Sequence, residues 1–254
     1  MKVISFINLK GGVAKTISAF NTAHILSKVY GKRVLLIDND KQGNTSKMFG
    51  YHDYDLKTIA DVLTDKNLDI VEAIIPTNYE NLHVIPANMN LLRANLDILL
   101  DMSRPQQTRL KKALRPISEE YDFCIIDNAP DINMSVINSL VVTDDVIVPI
   151  KVDKYAFDGL EILLEQIEEV KEFNPNIRFA GCLITMFQNN TVNIQGEAWL
   201  KSQTQYPTYE TFIRRTTKVD ETTFTGESLI KYAPKCTAAR DYISFVAEYL
   251  RGKS

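Results

Sequence analysis

Residues 3–18 of the chain read Val3-Ile4-Ser5-Phe6-Ile7-Asn8-Leu9-Lys10-Gly11-Gly12-Val13-Ala14-Lys15-Thr16-Ile17-Ser18. An apolar run of strand length ends at two glycines, and a Lys-Thr pair follows. A helical pattern then begins at once, with apolar positions at Ala19, Ala23, Leu26 and Val29. In a strand-loop-helix unit of this kind, the loop N–H groups and the positive end of the helix dipole surround a phosphate. We therefore expect Lys15 at the β- and γ-phosphates of a nucleotide and the Thr16 hydroxyl on Mg²⁺.

The loop is a variant, because the strict P-loop pattern has glycine at the positions that Leu9 and Ala14 occupy here. Lys10-Gly11-Gly12-Val13-Ala14-Lys15-Thr16 resembles the deviant Walker A loop, KGGxxK[ST], of the ParA/Soj/MinD family of ATPases. That family has an additional lysine near the start of the loop, here Lys10. The resemblance implies that the nucleotide is bound by Lys10, Gly11, Gly12, Val13, Ala14, Lys15, Thr16 and Ile17. We expect Ala14 to enter the helix without backbone strain.

Length and composition favour one globular unit. The chain has 254 residues, 45% of them hydrophobic, and contains no low-complexity linker. We expect a single domain over residues 1–254, without a separate N-terminal helix-turn-helix domain. No apolar run has the length of a signal segment or a membrane span, which predicts a cytoplasmic protein. The formal net charge of −3 leaves any DNA contact to a local basic patch.

A second acidic motif follows the next apolar run, Val34 to Ile37. The segment Asp38-Asn39-Asp40-Lys41-Gln42-Gly43-Asn44 resembles the family's DxDPQGN motif, with Lys41 in place of proline. By this resemblance Asp40 is the hydrolysis residue, and Asp38 lies nearer the metal. A solvated acidic turn is the alternative. Lys41 removes a φ constraint, so the geometry of this segment is less defined than its chemistry.

A third motif has the form of a Walker B strand. The run from Tyr121 to Ile126 is mainly apolar and is followed by Asp127, which is expected to orient the water shell of Mg²⁺. The family's Asp-x-Pro-Pro pattern is matched at Pro130 and not at Ala129. Farther along, the strand from Phe179 to Met186 corresponds to a region that lies near the nucleotide base in relatives, so Met186 is a candidate nucleotide contact.

The order of the elements predicts the fold class. Apolar strand runs alternate with helical patterns in residues 45–75, 91–100, 108–117 and 159–173. We expect an α/β fold of the P-loop NTPase type, with a mostly parallel twisted sheet and helices on both faces. A packing role is expected for Trp199, the only tryptophan.

The clearest basic cluster lies between residues 212 and 221. In the ParA/Soj branch the corresponding region has an arginine that contacts DNA without reading its sequence, and Arg215 is the best match. Arg214 and Lys218 are candidate helpers, while a solvated charged turn beside Asp220 is the alternative. Relatives often have a second basic contact before the C-terminal helix. Here that position is Thr237, with Lys235 and Arg240 nearby.

The last helical stretch, residues 238–250, has apolar side chains at helical spacing. Such a helix packs on the sheet or lies on a membrane, as in the MinD branch. Because Asp241 and Glu248 are acidic and few basic residues precede the end, we expect core packing and no membrane anchor.

The resemblance implies an ATP-controlled homodimer that drives plasmid or chromosome partition. Two subunits would enclose two ATP–Mg²⁺, with Lys10 reaching the partner's nucleotide as an arginine finger does. The dimer would bind double-stranded DNA non-specifically and associate with the nucleoid, and a ParB-like centromere-binding protein would stimulate slow ATP hydrolysis. Within one subunit the sequence suggests no task for Lys10. Two alternatives are a MinD-like membrane-cycling regulator and a nucleotide-binding scaffold that hydrolyses poorly, because Ala14, Lys41 and Ala129 depart from the family pattern.

Overall fold

A computed structural model describes residues 1–153 and 158–252. Its seven strands form one sheet in the order β3-β4-β2-β5-β1-β6-β7. All neighbouring strands are parallel except β3, which pairs antiparallel with β4. The strands are β1 (Lys2–Phe6), β2 (Val34–Asn39), β3 (Ile75–Pro76), β4 (Leu82–Ile85), β5 (Phe123–Asn128), β6 (Asp145–Lys151) and β7 (Arg178–Thr185).

Helices cover both faces of this sheet. They are α1 (Lys15–Lys28), α2 (Asn44–Phe49), α3 (Ile59–Thr64), α4 (Asn90–Leu100), α5 (Arg109–Leu114), α6 (Met134–Val142), α7 (Asp158–Val170), α8 (Thr191–Ser202), α9 (Thr217–Thr225), α10 (Leu229–Tyr232) and α11 (Thr237–Arg251). Short 3₁₀ helices span Ile70–Ala73 and Arg115–Ile117. The predicted fold class, an α/β fold with a mostly parallel sheet, is confirmed.

The core consists of two layers separated by the sheet. On one face α1, α10 and α11 bury Phe20, Leu229, Tyr242 and Phe245 against β1 and its neighbours. On the other face the helices from α3 to α7 pack against the alternate residues of the same strands. Central strands such as β2 and β5 are buried on both sides because helices cover both faces, which explains their continuous apolar runs.

The ends of α1 and α11 agree with the sequence. Gly31 adopts φ +61° just after α1, and the Lys32 amide donates to the Leu26 carbonyl, which is a glycine-terminated helix end. In α11, Tyr242, Phe245 and Val246 are fully buried against the sheet layer, as expected for core packing. No helix in the described part of the chain combines the length and apolarity that crossing a bilayer requires.

Two local predictions were wrong. Ile75, predicted to be helical, lies in β3, because an edge strand forms there by pairing with Val84. Trp199 is 44% exposed on α8 and is not a core residue, since Leu200 turns inward from that helix instead.

Candidate nucleotide-binding site

The loop after β1 lies at the carboxyl edge of the sheet and is held by neighbouring strands. The Asn8 side chain accepts from the Lys10 amide at 2.8 Å and donates to the Pro149 carbonyl of β6 at 2.8 Å. The Thr185 hydroxyl, at the end of β7, donates to the Val13 carbonyl at 3.0 Å. The loop is therefore positioned by two strands that lie far from it in the sequence.

Lys15 is the first residue of α1 and is turned into the loop. It is 8% exposed, and its ammonium group donates to the Lys10 carbonyl at 3.1 Å. Burial lowers its pKa, while Asp127, Asp40 and Asp131 act in the opposite direction. The amide groups at the start of α1 and this ammonium group surround a space suited to phosphate.

The backbone at Ala14 is strained, contrary to the prediction from the sequence. It lies just before α1 with φ 63° and ψ 31°, in the left-handed region. This conformation favours glycine, because Cβ crowds the following carbonyl oxygen. The loop needs a left-handed residue here to bring the chain into the helix, and the strict motif has glycine at this position.

Two buried carboxylates face each other behind the loop. Asp38 and Asp127 are register partners on the adjacent strands β2 and β5, at 0% and 1% exposure. Asp38 accepts from the Ser46 amide and hydroxyl at 2.8 and 2.7 Å. Burial, together with the charge of Asp127, raises the pKa of Asp38 above its usual range, and burial also raises the pKa of Asp127.

A divalent cation fits this pair. Asp127 accepts from the Thr45 hydroxyl at 2.8 Å through one oxygen, while its other oxygen is buried and has no hydrogen-bond partner among the described residues. The neighbouring Thr16 hydroxyl favours the charged form of Asp127. Oxygen donors of this kind suit Mg²⁺, which keeps several of its waters and takes few protein ligands. The structure thus gathers Thr16, Asp127 and Asp38 at one place.

Asp40 lies at the mouth of the site and is less buried than Asp38. Its carboxylate accepts from the Gln42 amide at 2.9 Å, which leaves the side chain in a tight turn. Lys41 forms an ion pair with Asp131 at 3.1 Å, so the residue that replaces the family's proline connects this turn to the segment after β5.

Lys10 has a partner within its own subunit, contrary to the sequence-based expectation. Its ammonium group lies 2.5 and 2.7 Å from the two carboxylate oxygens of Asp153. The side chains are 34% and 33% exposed. Lys10 and Lys15 therefore point to different places, one to the surface and the other into the loop.

A cavity of about 130 Å³ lies beside the loop, where the nucleotide base is expected. Its lining includes Ala14, Met186, Arg215, Thr216 and Tyr242. Met186 has φ 54°, so the chain turns sharply at the end of β7. The structure thus brings Met186 next to the phosphate loop, and it puts Arg215 in the wall of the same cavity.

The five candidate DNA contacts differ in their partners. Arg214 is held by Asp241 through two side-chain contacts at 2.6 and 3.0 Å, and Lys218 pairs with Glu221 at 2.7 Å. In the described part of the chain, no acidic partner is found for Arg215, Lys235 or Arg240, all of which are exposed. The contact between Arg214 and Asp241 brings the Arg215 segment to the start of α11, where Arg240 lies.

Comparison with known sequences gives the family. A family model described as an AAA domain matches residues 1–179. The sporulation initiation inhibitor protein Soj of Bacillus subtilis is 35% identical over 250 residues, covering 97% of each chain. The chromosome partitioning protein ParA of Myxococcus xanthus is 31% identical, over 98% of this chain and 88% of that protein. The chain belongs to the ParA/Soj family of P-loop proteins.

Solved structures extend the comparison for this ParA/Soj family member. Cobyrinic acid a,c-diamide synthase from Mycobacterium smegmatis, with a bound ATP analog and magnesium, superposes with a TM-score of 0.85 at 27% identity, over 100% of this chain and 96% of that one. A putative plasmid partition protein from Borrelia burgdorferi bound to AMPPNP has a TM-score of 0.82 at 24% identity, covering 100% and 99%, and shares the fold.

Several residues that shape the site of this family member were missed from the sequence. Asp153 binds Lys10, Ser46 and Thr45 hold the two buried carboxylates, and Asp131 binds Lys41. Only the pair Thr45-Ser46 offered a signal, since both hydroxyls directly follow the acidic motif. Asp153 lies two residues beyond β6 and matches no motif.

Proposed function

We propose that this chain is an ATP-dependent dimer switch that binds DNA non-specifically and hydrolyses ATP in plasmid or chromosome partition. The observation that carries this proposal is that the two lysines of one loop lie in different environments. Lys15 is buried at the start of α1, whereas Lys10 extends to the surface. A surface lysine on a phosphate loop is suited to a nucleotide held by a second subunit.

In each subunit the loop residues from Gly11 to Thr16 bind the phosphates through their amide groups, together with the Lys15 ammonium group. Thr16, Asp38 and Asp127 hold Mg²⁺, which neutralises charge on the β- and γ-phosphates when it is bound. The cavity beside Ala14 and Met186 receives the base. Lys10 leaves Asp153 and neutralises charge at the partner's phosphates.

Hydrolysis depends on Asp40, which lies at the mouth of the site in the turn closed by Gln42. Its carboxylate orients the attacking water or accepts its proton. A ParB-like partner stimulates this step. Loss of the γ-phosphate removes the contact that draws Lys10 across the interface, so the dimer separates.

DNA binding depends on dimerisation. Arg215, Lys235 and Arg240 give each subunit three exposed cations near the start of α11. Phosphate contacts of this kind are weak singly and independent of base sequence. Because a dimer doubles their number on one rigid body, its affinity exceeds that of a monomer by avidity. The protein is then cytoplasmic, and bound to the nucleoid in the ATP state.

The test is a DNA titration by fluorescence anisotropy with ATP, with ADP and without nucleotide. Tight binding is expected only with ATP. Lys15→Ala is expected to lose ATP binding in calorimetry, whereas Lys10→Ala keeps it and loses both the ATP dimer in light scattering and tight DNA binding. Equal DNA affinity in all three nucleotide states would refute the switch. ATP turnover no faster than that of Asp40→Ala, with DNA and partner present, would indicate a scaffold instead.

A further inference from the structure

The helix α4 has two apolar faces, and only one of them is used by the fold. Leu91, Ala94 and Ile98 are at most 3% exposed and pack into the core. On the opposite face and in the adjoining turns, six large side chains are between 41% and 86% exposed. They are Met89, Leu92, Leu96, Leu99, Leu100 and Met102, and we call them the α4 stripe.

The α4 stripe is a concentrated patch. Four of its members, Met89, Leu92, Leu96 and Leu99, follow one another at intervals of three and four residues, so they form a single row on the helix surface. Isolated exposed hydrophobic residues are normal on a protein surface, but a contiguous row marks an interaction site. The core face of α4 is already complete, so stability of the fold does not require this second row.

We propose that the α4 stripe is a self-association surface on which a second copy of the chain docks α4 antiparallel to its own α4. The four-residue row is symmetric about Ala94, because Met89 and Leu99 lie five residues from it and Leu92 and Leu96 lie two residues from it. A two-fold axis there places Leu92 of one copy on Leu96 of the other. This is the self-complementarity that an isologous dimer requires.

The charges beside the α4 stripe are also self-complementary. Arg93 and Asp97 lie along one edge of it, with side chains 87% and 50% exposed, and form a long intrachain pair at 3.7 Å. Their midpoint is Asn95, one residue from the centre of the row, so the same antiparallel arrangement brings Arg93 of each copy within reach of Asp97 of the other.

This interface does not depend on the proposed ATP switch. The α4 stripe follows β4 in the chain and contains no residue of the phosphate loop. One helix face is smaller than the roughly 800 Å² per partner that a stable complex buries, so a weak dimer in the micromolar range is expected. A chain that used both interfaces would join ATP dimers into a linear assembly.

Sedimentation velocity of the full chain without nucleotide tests this proposal over a concentration series. The wild type is expected to form a reversible dimer. Leu96→Lys should weaken it at least about tenfold, because Leu96 lies at the centre of the row. Val71→Lys is the matched control, since Val71 is a similarly exposed apolar residue at 54% outside the stripe, against 58% for Leu96. A wild type that stays monomeric throughout, or equal effects of the two variants, would overturn the proposal.

A charge exchange gives a second test that separates contacts between copies from contacts within one. Arg93→Asp puts two acids on the stripe edge and Asp97→Arg puts two bases there, so each variant alone should lose the dimer. Their equimolar mixture should form a heterodimer. Failure of the mixture to associate while the wild type does so would exclude the antiparallel arrangement. Circular dichroism and ATP binding confirm that each variant is folded.

Discussion

The Lys10 ammonium group is held by both carboxylate oxygens of Asp153, at 2.5 and 2.7 Å. The two residues are 143 positions apart and meet because β1 and β6 are neighbours in the sheet. Each side chain is about one-third exposed, so water screens part of the attraction. Pairs of this kind contribute up to about 1 kcal/mol. The pair keeps Lys10 inside its own subunit at a modest energy that a phosphate can exceed.

Replacing Asp153 by asparagine should make the ATP dimer easier to form. Asp153→Asn removes the charge that competes for Lys10 in both subunits, and a gain of up to about 1 kcal/mol per subunit, about 2 kcal/mol per dimer, corresponds to up to roughly thirtyfold less protein at half-dimerisation. Light scattering with a non-hydrolysable ATP analog measures this. Asp122→Asn is the control, because it removes an equally exposed acid, paired with Arg33, that has no contact with Lys10. A weaker dimer in Asp153→Asn would mean that Asp153 supports the interface.

Much of the site was predictable because its residues follow apolar strand runs. Asp38 and Asp127 each come near the end of such a run, and parallel strands bring their carboxyl ends to one edge. The phosphate loop is local in sequence, so its glycines and Lys15 were identified without tertiary information. The fold class followed from the same alternation of strands and helices.

The remaining features depend on contacts that local patterns do not encode. The order of strands in the sheet determines that Asp153 is the partner of Lys10. Ile75 is in a strand because it pairs with the free edge of β4. Ala14 has a high helix propensity, which hides the left-handed backbone that closure of the loop imposes. Tertiary geometry decided each of these positions.

Ala14→Gly should stabilise the protein slightly. The left-handed backbone at Ala14 costs about 1 kcal/mol, and glycine removes this cost. Part of the gain is lost because glycine has more conformational freedom in the unfolded chain. A net gain of roughly 0.5 kcal/mol in the free energy of unfolding is expected from urea denaturation. The same substitution inside the helix, Ala23→Gly, should cost about 1 kcal/mol or more. A loss of stability in both variants would contradict backbone strain at Ala14.

His24 should make the protein sensitive to acid. Its ring is 5% exposed, with Nδ1 2.5 Å from the Ser228 hydroxyl. Burial, with help from Lys28 and Lys231, lowers the pKa of His24 to about 4. In the unfolded chain His24 is protonated as the pH falls through about 6.5, whereas in the folded chain it is protonated only near pH 4. The free energy of unfolding therefore decreases as the pH falls from about 6.5 to about 4.

The expected loss from His24 is roughly 2 kcal/mol between pH 7.5 and pH 5, measured by urea denaturation. His24→Asn should be less stable than the wild type at pH 7.5 and should lose less on acidification. Ser228→Ala keeps the imidazole and should retain the wild-type acid sensitivity. An unchanged difference between His24→Asn and the wild type at both pH values would show that His24 does not titrate in this range.

Arg215→Ala should lower the salt dependence of DNA binding more than Lys218→Ala does. Each phosphate contact contributes about 0.9 to the slope of log affinity against log salt, so a dimer that loses two arginines should lose about 2. The Lys218 ammonium group is already paired with Glu221 at 2.7 and 3.0 Å, and therefore displaces few counterions from DNA. Anisotropy titrations in ATP at several salt concentrations separate the two variants.

A larger change of slope in Lys218→Ala than in Arg215→Ala would indicate that α9 contacts the DNA. Equal slopes in both variants and the wild type would indicate that the DNA contacts lie outside this segment. Since Arg215 also lines the cavity beside Met186, ATP affinity must be measured in the same variant, so that weaker DNA binding is not mistaken for loss of the nucleotide.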